Sequence, residues 1–379
     1  MTAPIPVGNA RSTSSPGRKS PGPGGMEIDF LDAANAEDRS SWIDLWERWP
    51  DREMMAHPGF VGLFARPEDR VVCAAARTDR GGVLYPVIVR PLSLEPWASK
   101  AGPACDLTTA YAYGGPFAWN FSEEEAGRFW SRFNEWAREI HAATSFARLS
   151  LFAETLLPFD GETLDRGPNV IRRLDRSEDE IWMDYDSKVR KNVQRARREG
   201  VTVVGDPKGE RLDDFLAIYA STMDRREAND YYYFPRSMFE KLMAELPGRF
   251  LFTHAMAGGK IVSSDLMLLS ERSAYYWLGG TLAESFALRP NDLLKHETFL
   301  LCRSLGKERV ILGGGYKPDD GLIRYKRAFA PGSEARFRIG VKNIDPELTG
   351  RLVDQRRTWE GAQGRTWSPV EGFFPPYRS

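Results

Sequence analysis

Cysteine is scarce in this chain of 379 residues: Cys73, Cys105 and Cys302, with no CxxC spacing. That excludes a disulfide framework and a thiolate metal clip, and it fits a reducing cytoplasm. Each cysteine stands beside apolar or small residues and reads as a buried free thiol. Histidine is nearly as rare. His57, His141, His254 and His296 include no pair at metal-ligand spacing, so no metal site is expected. No apolar run approaches the roughly 20 residues of a membrane-spanning helix, and the N-terminus lacks the basic-then-apolar layout of a secretion signal. GxSxG, HExxH, a Walker loop and a GxGxxG followed by an acidic residue are all missing, which removes the common serine hydrolase, zinc protease and nucleotide-binding readings. The formal net charge is only -1, so the protein is not coated in positive charge for indiscriminate nucleic-acid binding.

What is present is an ordinary globular composition, 42% hydrophobic, in a chain long enough for two domains. Residues 1–25 are rich in Pro, Gly, Ser and Arg and read as a disordered tail, having too little apolar surface to offset the entropy of ordering. Two later segments share one plan. In the first, VVCAAAR (71–77) and VLYPVIV (83–89) flank a turn, AYAYGGP (110–116) reads as a third strand, a helix spans 123–140 with Phe129, Trp130, Phe133, Trp136 and Ile140 at helical spacing, and ARLSLF (147–152) closes the set. In the second, strands over 250–256, 261–269 and 274–281 lead to a helix over 290–305 and a strand over 309–314. Further helices are expected at 41–48, 213–226 and 237–246. The fold class is therefore α+β with a mixed sheet, built as two tandem units over 26–170 and 171–345, with a trailing arm at 346–379.

Between the units lies SKVRKNVQRARREG (187–200), in which six of fourteen residues are Lys or Arg. Val189, Val193 and Ala196 form a narrow apolar stripe at helical spacing. Lys188, Lys191, Arg195 and Arg198 form a second, wholly cationic row. Ser187 can cap the start and Gly200 suits a left-handed end. A row of like charges is either a solvated face or a seat for a polyanion, and a phosphate-bearing ligand is a natural partner. Among the histidines, His254 reads as structural and His296, in NDLLKHE, as a candidate for function. Gly313 to Gly315 follow a strand directly, where glycine either admits close approach of a ligand or simply makes a turn.

SKVRKNVQRARREGV, RPNDLLKHE and LGGGYKPDDGLIRYKRAFAPG together resemble the Fem family of non-ribosomal peptidyltransferases, well over about 180–335 and mainly in layout over 26–170. The resemblance implies two acyltransferase domains of the GNAT fold. It implies transfer of an amino acid from aminoacyl-tRNA, a co-substrate used without a further cofactor, to an amine. The family's Phe-Lys pair matches Tyr325-Lys326, which places Lys326 at the acyl-transfer centre. That chemistry needs no triad, because the ester is already activated and a fixed cation can stabilise the oxyanion. The cationic row with Arg190, Arg324 and Arg327 would then hold tRNA phosphates. Tyr232 and Arg225 in the run 225–235, with Gly314 and Gly315, would line the substrate cleft. Asp265 and His296 are the candidates for a general base.

The chain also departs from its relatives. CoA enzymes of the GNAT fold use a glycine-rich loop to cradle pyrophosphate, and FALRPNDLLKHE (286–297) has no such spacing. The peptidoglycan enzymes place a lysine early in the first domain, yet no lysine occurs between Lys19 and Lys100. The acceptor amine is therefore open among a cell-wall precursor, a natural product and an amino sugar, with Tyr111 and Tyr113 as its expected contacts. A CoA donor and a catalytically silent binding module are the rival readings.

Overall fold

The computed structural model describes residues 26–315 and 320–379, so the expected N-terminal tail lies outside the described residues. The first half runs β1 (Glu27–Asp32), α1 (Ala36–Arg48), α2 (Pro58–Val61), β2 (Arg70–Arg77), β3 (Gly82–Pro91), β4 (Cys105–Thr108), β5 (Phe117–Trp119), α3 (Glu123–Glu139) and β6 (Ala142–Arg148). A long strand, β7 (Glu162–Arg173), leads to α4 (Glu178–Asp184) and the basic helix α5 (Ser187–Arg198). The second half continues with β8 (Thr202–Asp206), α6 (Leu212–Arg225), α7 (Arg236–Glu245), β9 (Phe250–Ala257), β10 (Lys260–Leu269), β11 (Ser273–Thr281), α8 (Pro290–Ser304) and β12 (Arg309–Gly313). The chain closes with α9 (Gly321–Arg327), β13 (Glu334–Asn343) and α10 (Pro346–Ala362).

Among the described residues the strands form one sheet in the order β1-β2-β3-β4-β6-β13-β7-β12-β11-β10-β9-β8, with β5 beside β3. The two halves repeat the same order, and each contains one parallel pair, β4 with β6 and β11 with β12. Their last strands are exchanged. β13, from the end of the chain, lies against β6, while β7 lies against β12. The expected boundary at 170/171 falls inside β7. One face carries α1, α2, α6 and α7 over a core that draws on both halves, including Trp42, Phe60, Phe215 and Phe252. The other face carries α5 and α8, which bury Val189, Val193 and Leu294, in the second half, and α3, which packs Phe133 on Tyr85, in the first.

The second half follows its expected strands to within a residue or two, because long apolar runs separated by tight turns leave little choice of register. The first half departs twice. AYAYGGP is not a strand: Ala112 (φ +82°) and Gly115 (φ +110°) are left-handed, so the alternating tyrosines ride on a loop. The closing strand begins at Ala142 rather than 147, directly after the left-handed His141 that ends α3. The basic helix starts one residue early on Asp186, with no side-chain cap, so Ser187 is its first helical residue rather than its cap. Gly200 is left-handed, as its spacing predicts.

Residues 346–379, the expected trailing arm, pack on the first half. Leu352 and Tyr377 are buried against Leu92, Trp97 and Ala143. The Tyr377 hydroxyl meets Thr144 Oγ1 at 2.7 Å, and Arg378 pairs with Asp106 and Glu95. Tyr377→Phe leaves the Thr144 hydroxyl unpaired and is expected to cost about 1–2 kcal/mol in urea denaturation.

Candidate active site

The parallel pairs are where the halves differ. In the second half β11 and β12 are paired only over Ser273–Tyr275 and Arg309–Ile311, and then part. In the first half the corresponding gap is filled, since Thr109 N–H donates to Phe146 O (3.1 Å), Gly114 N–H donates to Arg148 O (2.8 Å) and Ser150 N–H donates to Gly114 O (2.8 Å). The open notch therefore belongs to the second half.

Lys326 reaches that notch from α9. Asp320 caps the helix by accepting from the Leu322 and Ile323 amides (2.9 and 2.8 Å). This turns Ile323 and Lys326, one turn apart, inward together. The Lys326 Nζ is buried and donates to the Gly314 carbonyl at 2.7 Å. Tyr113, from the loop that fills the first-half gap, donates its hydroxyl to Asn169 Oδ1 of β7 at 2.6 Å. Gly313 is left-handed, and a Cβ on it would stand 3.4 Å from Lys326 Nζ and 3.7 Å from both Asn169 Oδ1 and Tyr113 Oη. A lysine, an amide and a phenol from three distant stretches thus surround one small space that only glycine leaves open. Burial, with Lys295 adding repulsion, lowers Lys326 to about 8.

Behind Lys326 lies a polar chain that sequence reasoning largely missed. The Tyr325 hydroxyl accepts from Asn291 Nδ2 (2.9 Å), and the Asn291 Oδ1 lies 3.5 Å from Lys295 Nζ. Lys295 pairs with Asp265 at 2.6 Å and sits 3.8 Å from the Tyr276 ring centre. Burial pushes Asp265 up and Lys295 down, and their mutual attraction opposes both shifts. Asn291 and Lys295 are four apart on α8, a spacing visible in RPNDLLKHE, but nothing local marked their face as the inner one. Asn169 left no signal at all, because β7 reaches the notch only through the strand exchange.

Other expected site residues are dispersed. His296 lies on another face of α8, where its Nδ1 meets the Tyr185 hydroxyl at 3.2 Å beside Trp182, and burial lowers it to about 4. No contact links it to Lys326 among the described residues. Arg225 donates to the Thr281 carbonyl (3.1 Å) and packs over Phe286. The Tyr232 carbonyl accepts from Tyr219. A Cβ on Gly315 would stand 2.6 Å from Asp320 Oδ1, so that glycine serves a close approach. Tyr316 to Asp319, the middle of the glycine motif, lie outside the described residues.

On α5, Lys188, Lys191, Arg195 and Arg198 are exposed, and Arg195 lies 3.8 Å from Glu199. Arg190 is used differently, donating to the Met183 (3.0 Å) and Tyr185 carbonyls at the end of α4. Arg324 is exposed, and Arg327 pairs with Glu334 at 2.5 Å. The Asp186 amide donates to the Ala328 carbonyl at 2.9 Å, so the cationic row begins where α9 ends.

Residues 187–327 match the family model of the acetyltransferase (GNAT) domain. The crystal structure of FemX superposes with a TM-score of 0.61 at 12% identity, covering 83% of this chain and 98% of that one. This chain shares the fold of FemX. The likeness to the Fem family read in the sequence holds in its architecture. The C-terminal domain of a putative lysylphosphatidylglycerol synthetase from Agrobacterium fabrum is also similar, with a TM-score of 0.53 at 14% identity over 84% of this chain and 96% of that one. A conserved protein of unknown function from Bacteroides thetaiotaomicron gives 0.52 at 11%, over 83% and 100%. No curated protein matches the sequence. Among the described residues no helix is long and apolar enough to cross a membrane.

Proposed function

We propose that this acyltransferase-fold protein moves an amino acid from aminoacyl-tRNA onto an amine, forming an amide. The observation that carries the reading is the Lys326 ammonium, fixed over Gly313 and Gly314 in the parted β11–β12 notch and continuous, through α9, with the cationic row of α5. The acceptor amine attacks the ester carbonyl. Lys326 stabilises the oxyanion as it forms. The ribose oxygen leaves with the proton that the amine gives up. Asp265 is engaged by Lys295, so the reading assigns no side chain as base and lets the substrates relay that proton.

The start of α8 supports a donor other than CoA. Asp292, in its first turn, is buried and accepts from Asn192 Nδ2 at 3.0 Å. An acidic side chain thus stands in the first turn of the helix at whose end a pyrophosphate would gain from backbone N–H groups and the dipole. Pro290 removes one of those N–H groups.

A tRNA held by the row makes salt-dependent contacts, each phosphate adding about 0.7–0.9 to the slope of log affinity against log salt. Lys191→Glu with Arg195→Glu is expected to weaken tRNA binding and flatten that slope in a filter-binding titration. An unchanged slope would leave the row a solvated face.

A further inference from the structure

The fold supplies donors to carboxylates it buries. Glu53 Oε2 accepts from the Tyr275 hydroxyl at 2.8 Å, the two Asp106 oxygens accept from Arg90 and Arg378, and Asp206 accepts from the amides of residues 208–211. Asp265 is treated differently. It is 1% exposed, and its Oδ1 is the one carboxylate oxygen among the described residues that is withdrawn from water without a hydrogen-bond partner. Such an atom is costly, and it is retained where something outside the fold brings the missing donor. Lys295 does not meet that need. It is bound to the other oxygen, Oδ2, at 2.6 Å, and it divides its charge with the face of the Tyr276 ring at 3.8 Å and with Asn291 Oδ1 at 3.5 Å. A carboxylate has room for a donor on each oxygen.

The place of Oδ1 shows what that donor is. Asp265 of β10 stands opposite Gly279 of β11, four residues beyond Tyr275, where β11 has already parted from β12. A Cβ on Gly279 would stand 2.2 Å from Asp265 Oδ1 and 2.6 Å from Tyr276 Oη, so only glycine lets both oxygens meet over the strand. Tyr276 and Gly279 are half-buried, as are Asn291 and Tyr325 beyond Lys295, so the carboxylate lies just beneath the wall of the notch. Lys326 enters on the same face of the sheet, since Ile323, one turn before it, belongs to the core that holds Leu294 of α8. The notch thus offers a cation beside β12 and a hydrogen-bond acceptor of negative charge over β11. An aminoacyl ester carries the complementary pair: a carbonyl oxygen and, three bonds away, an ammonium. A simple acyl group has the first and lacks the second.

We infer that Asp265 Oδ1 is the seat of a ligand's primary ammonium, the free α-ammonium of the aminoacyl donor, held there while Lys326 faces the ester carbonyl. Calling that ammonium the donor's rests on the aminoacyl-transfer reading; the ammonium site itself does not. Held by a carboxylate, the donor's amine stays protonated and has no lone pair with which to attack a second ester, so the nucleophile is the acceptor's amine alone. A donor whose amine is acylated or absent leaves Oδ1 unpaired and is discriminated against.

The test is a thermal-shift titration of the full chain with two matched pairs of probes, at equal ionic strength in sodium chloride and at about pH 6.5, where α-amino groups are protonated. Glycinamide and acetamide differ by the ammonium alone. The glycyl and acetyl amides of 3′-amino-3′-deoxyadenosine differ in the same way and add the nucleoside that ends a tRNA. The wild type is expected to bind the glycyl member of each pair about 10–100-fold more tightly, the worth of one hydrogen bond to a charged group. Asp265→Asn with Lys295→Met removes the carboxylate without stranding its partner and is expected to bind both members alike. Gly279→Ala drives a methyl group against Oδ1, is expected to lose the preference too, and serves as the comparison if the double variant does not fold. A preference within the small pair alone keeps the ammonium site and removes the nucleoside donor, which separates this inference from the tRNA reading. A wild type that does not distinguish glycyl from acetyl in either pair overturns the site and leaves Oδ1 to a water molecule. A preference that survives in both variants overturns it as well.

Discussion

Lys326→Met is expected to lower kcat by about 10²–10³-fold, the effect of removing one well-placed oxyanion donor, without loss of stability. The two outcomes share one cause. The Nζ is buried against the Gly314 carbonyl, and its affinity for a proton falls from the ordinary 10.5 to about 8. At neutral pH it is charged in both the folded and the unfolded chain, so the fold bears the cost of burying the charge and Met removes that cost. Between about 8 and 10.5 the unfolded chain binds more protons than the folded one, so the wild type gains stability as pH rises through that window and the Met variant lacks this gain. Activity runs the other way. The ammonium is the working form, so kcat falls as pH rises through about 8. Stopped assays from pH 6 to 10 paired with denaturant melts check both. A kcat that instead rises through the same pH would make Lys326 an amine base.

Lys295→Ala is expected to destabilise the protein by about 3–5 kcal/mol, since it strands Asp265 in the core without its partner. Asp265 Oδ1 has no hydrogen-bond partner among the described residues, and Oδ2 depends on the ammonium 2.6 Å away. In that variant the folded chain takes up a proton on Asp265 before the unfolded chain does, so the loss shrinks as pH falls from neutral toward 4. Asp265→Asn combined with Lys295→Met should recover most of the stability, because the pair is replaced rather than broken. Removing the Lys295 charge also relieves repulsion on Lys326, so the pH midpoint of kcat moves upward. A Lys295→Ala protein with wild-type stability across this range would show that the pair is not the buried anchor described here.

The strands expected in the second half were legible because they are mostly apolar runs separated by unmistakable turns, whereas β8, short and largely exposed, gave no such signal. The first half was less so for local reasons. Tyr111-Ala112-Tyr113 alternates like a strand, but only the backbone shows Ala112 turning left-handed. The Ala-Ala-Thr-Ser start of β6 lacks the branched and aromatic residues that announce a strand. β4 is short and carries Asp106, buried by its pairing with Arg90 and Arg378. In the trailing residues, Pro, Gly and Arg hide the few positions, Leu352 and Tyr377 above all, that pack. For the site, the motif around Tyr325-Lys326 brought Lys326 forward and Tyr113 was an expected contact, while Asn169 and its bond to Tyr113 depend on strand exchange and on contact between halves. No window of sequence contains those relations. Arg190 stood in the basic run, but only its contacts with the α4 carbonyls show that it is already committed.

The measurement closest to the central claim is donor dependence. Purified protein is incubated with radiolabelled aminoacyl-tRNAs and a host metabolite extract, beside reactions given RNase-treated tRNA or labelled acetyl-CoA. Label passing into an RNase-resistant, amide-linked product from intact aminoacyl-tRNA, and lost in Lys326→Met, is the predicted result. Transfer from acetyl-CoA with none from aminoacyl-tRNA would contradict it, and would require the α8 N-terminus to accept a pyrophosphate despite Asp292.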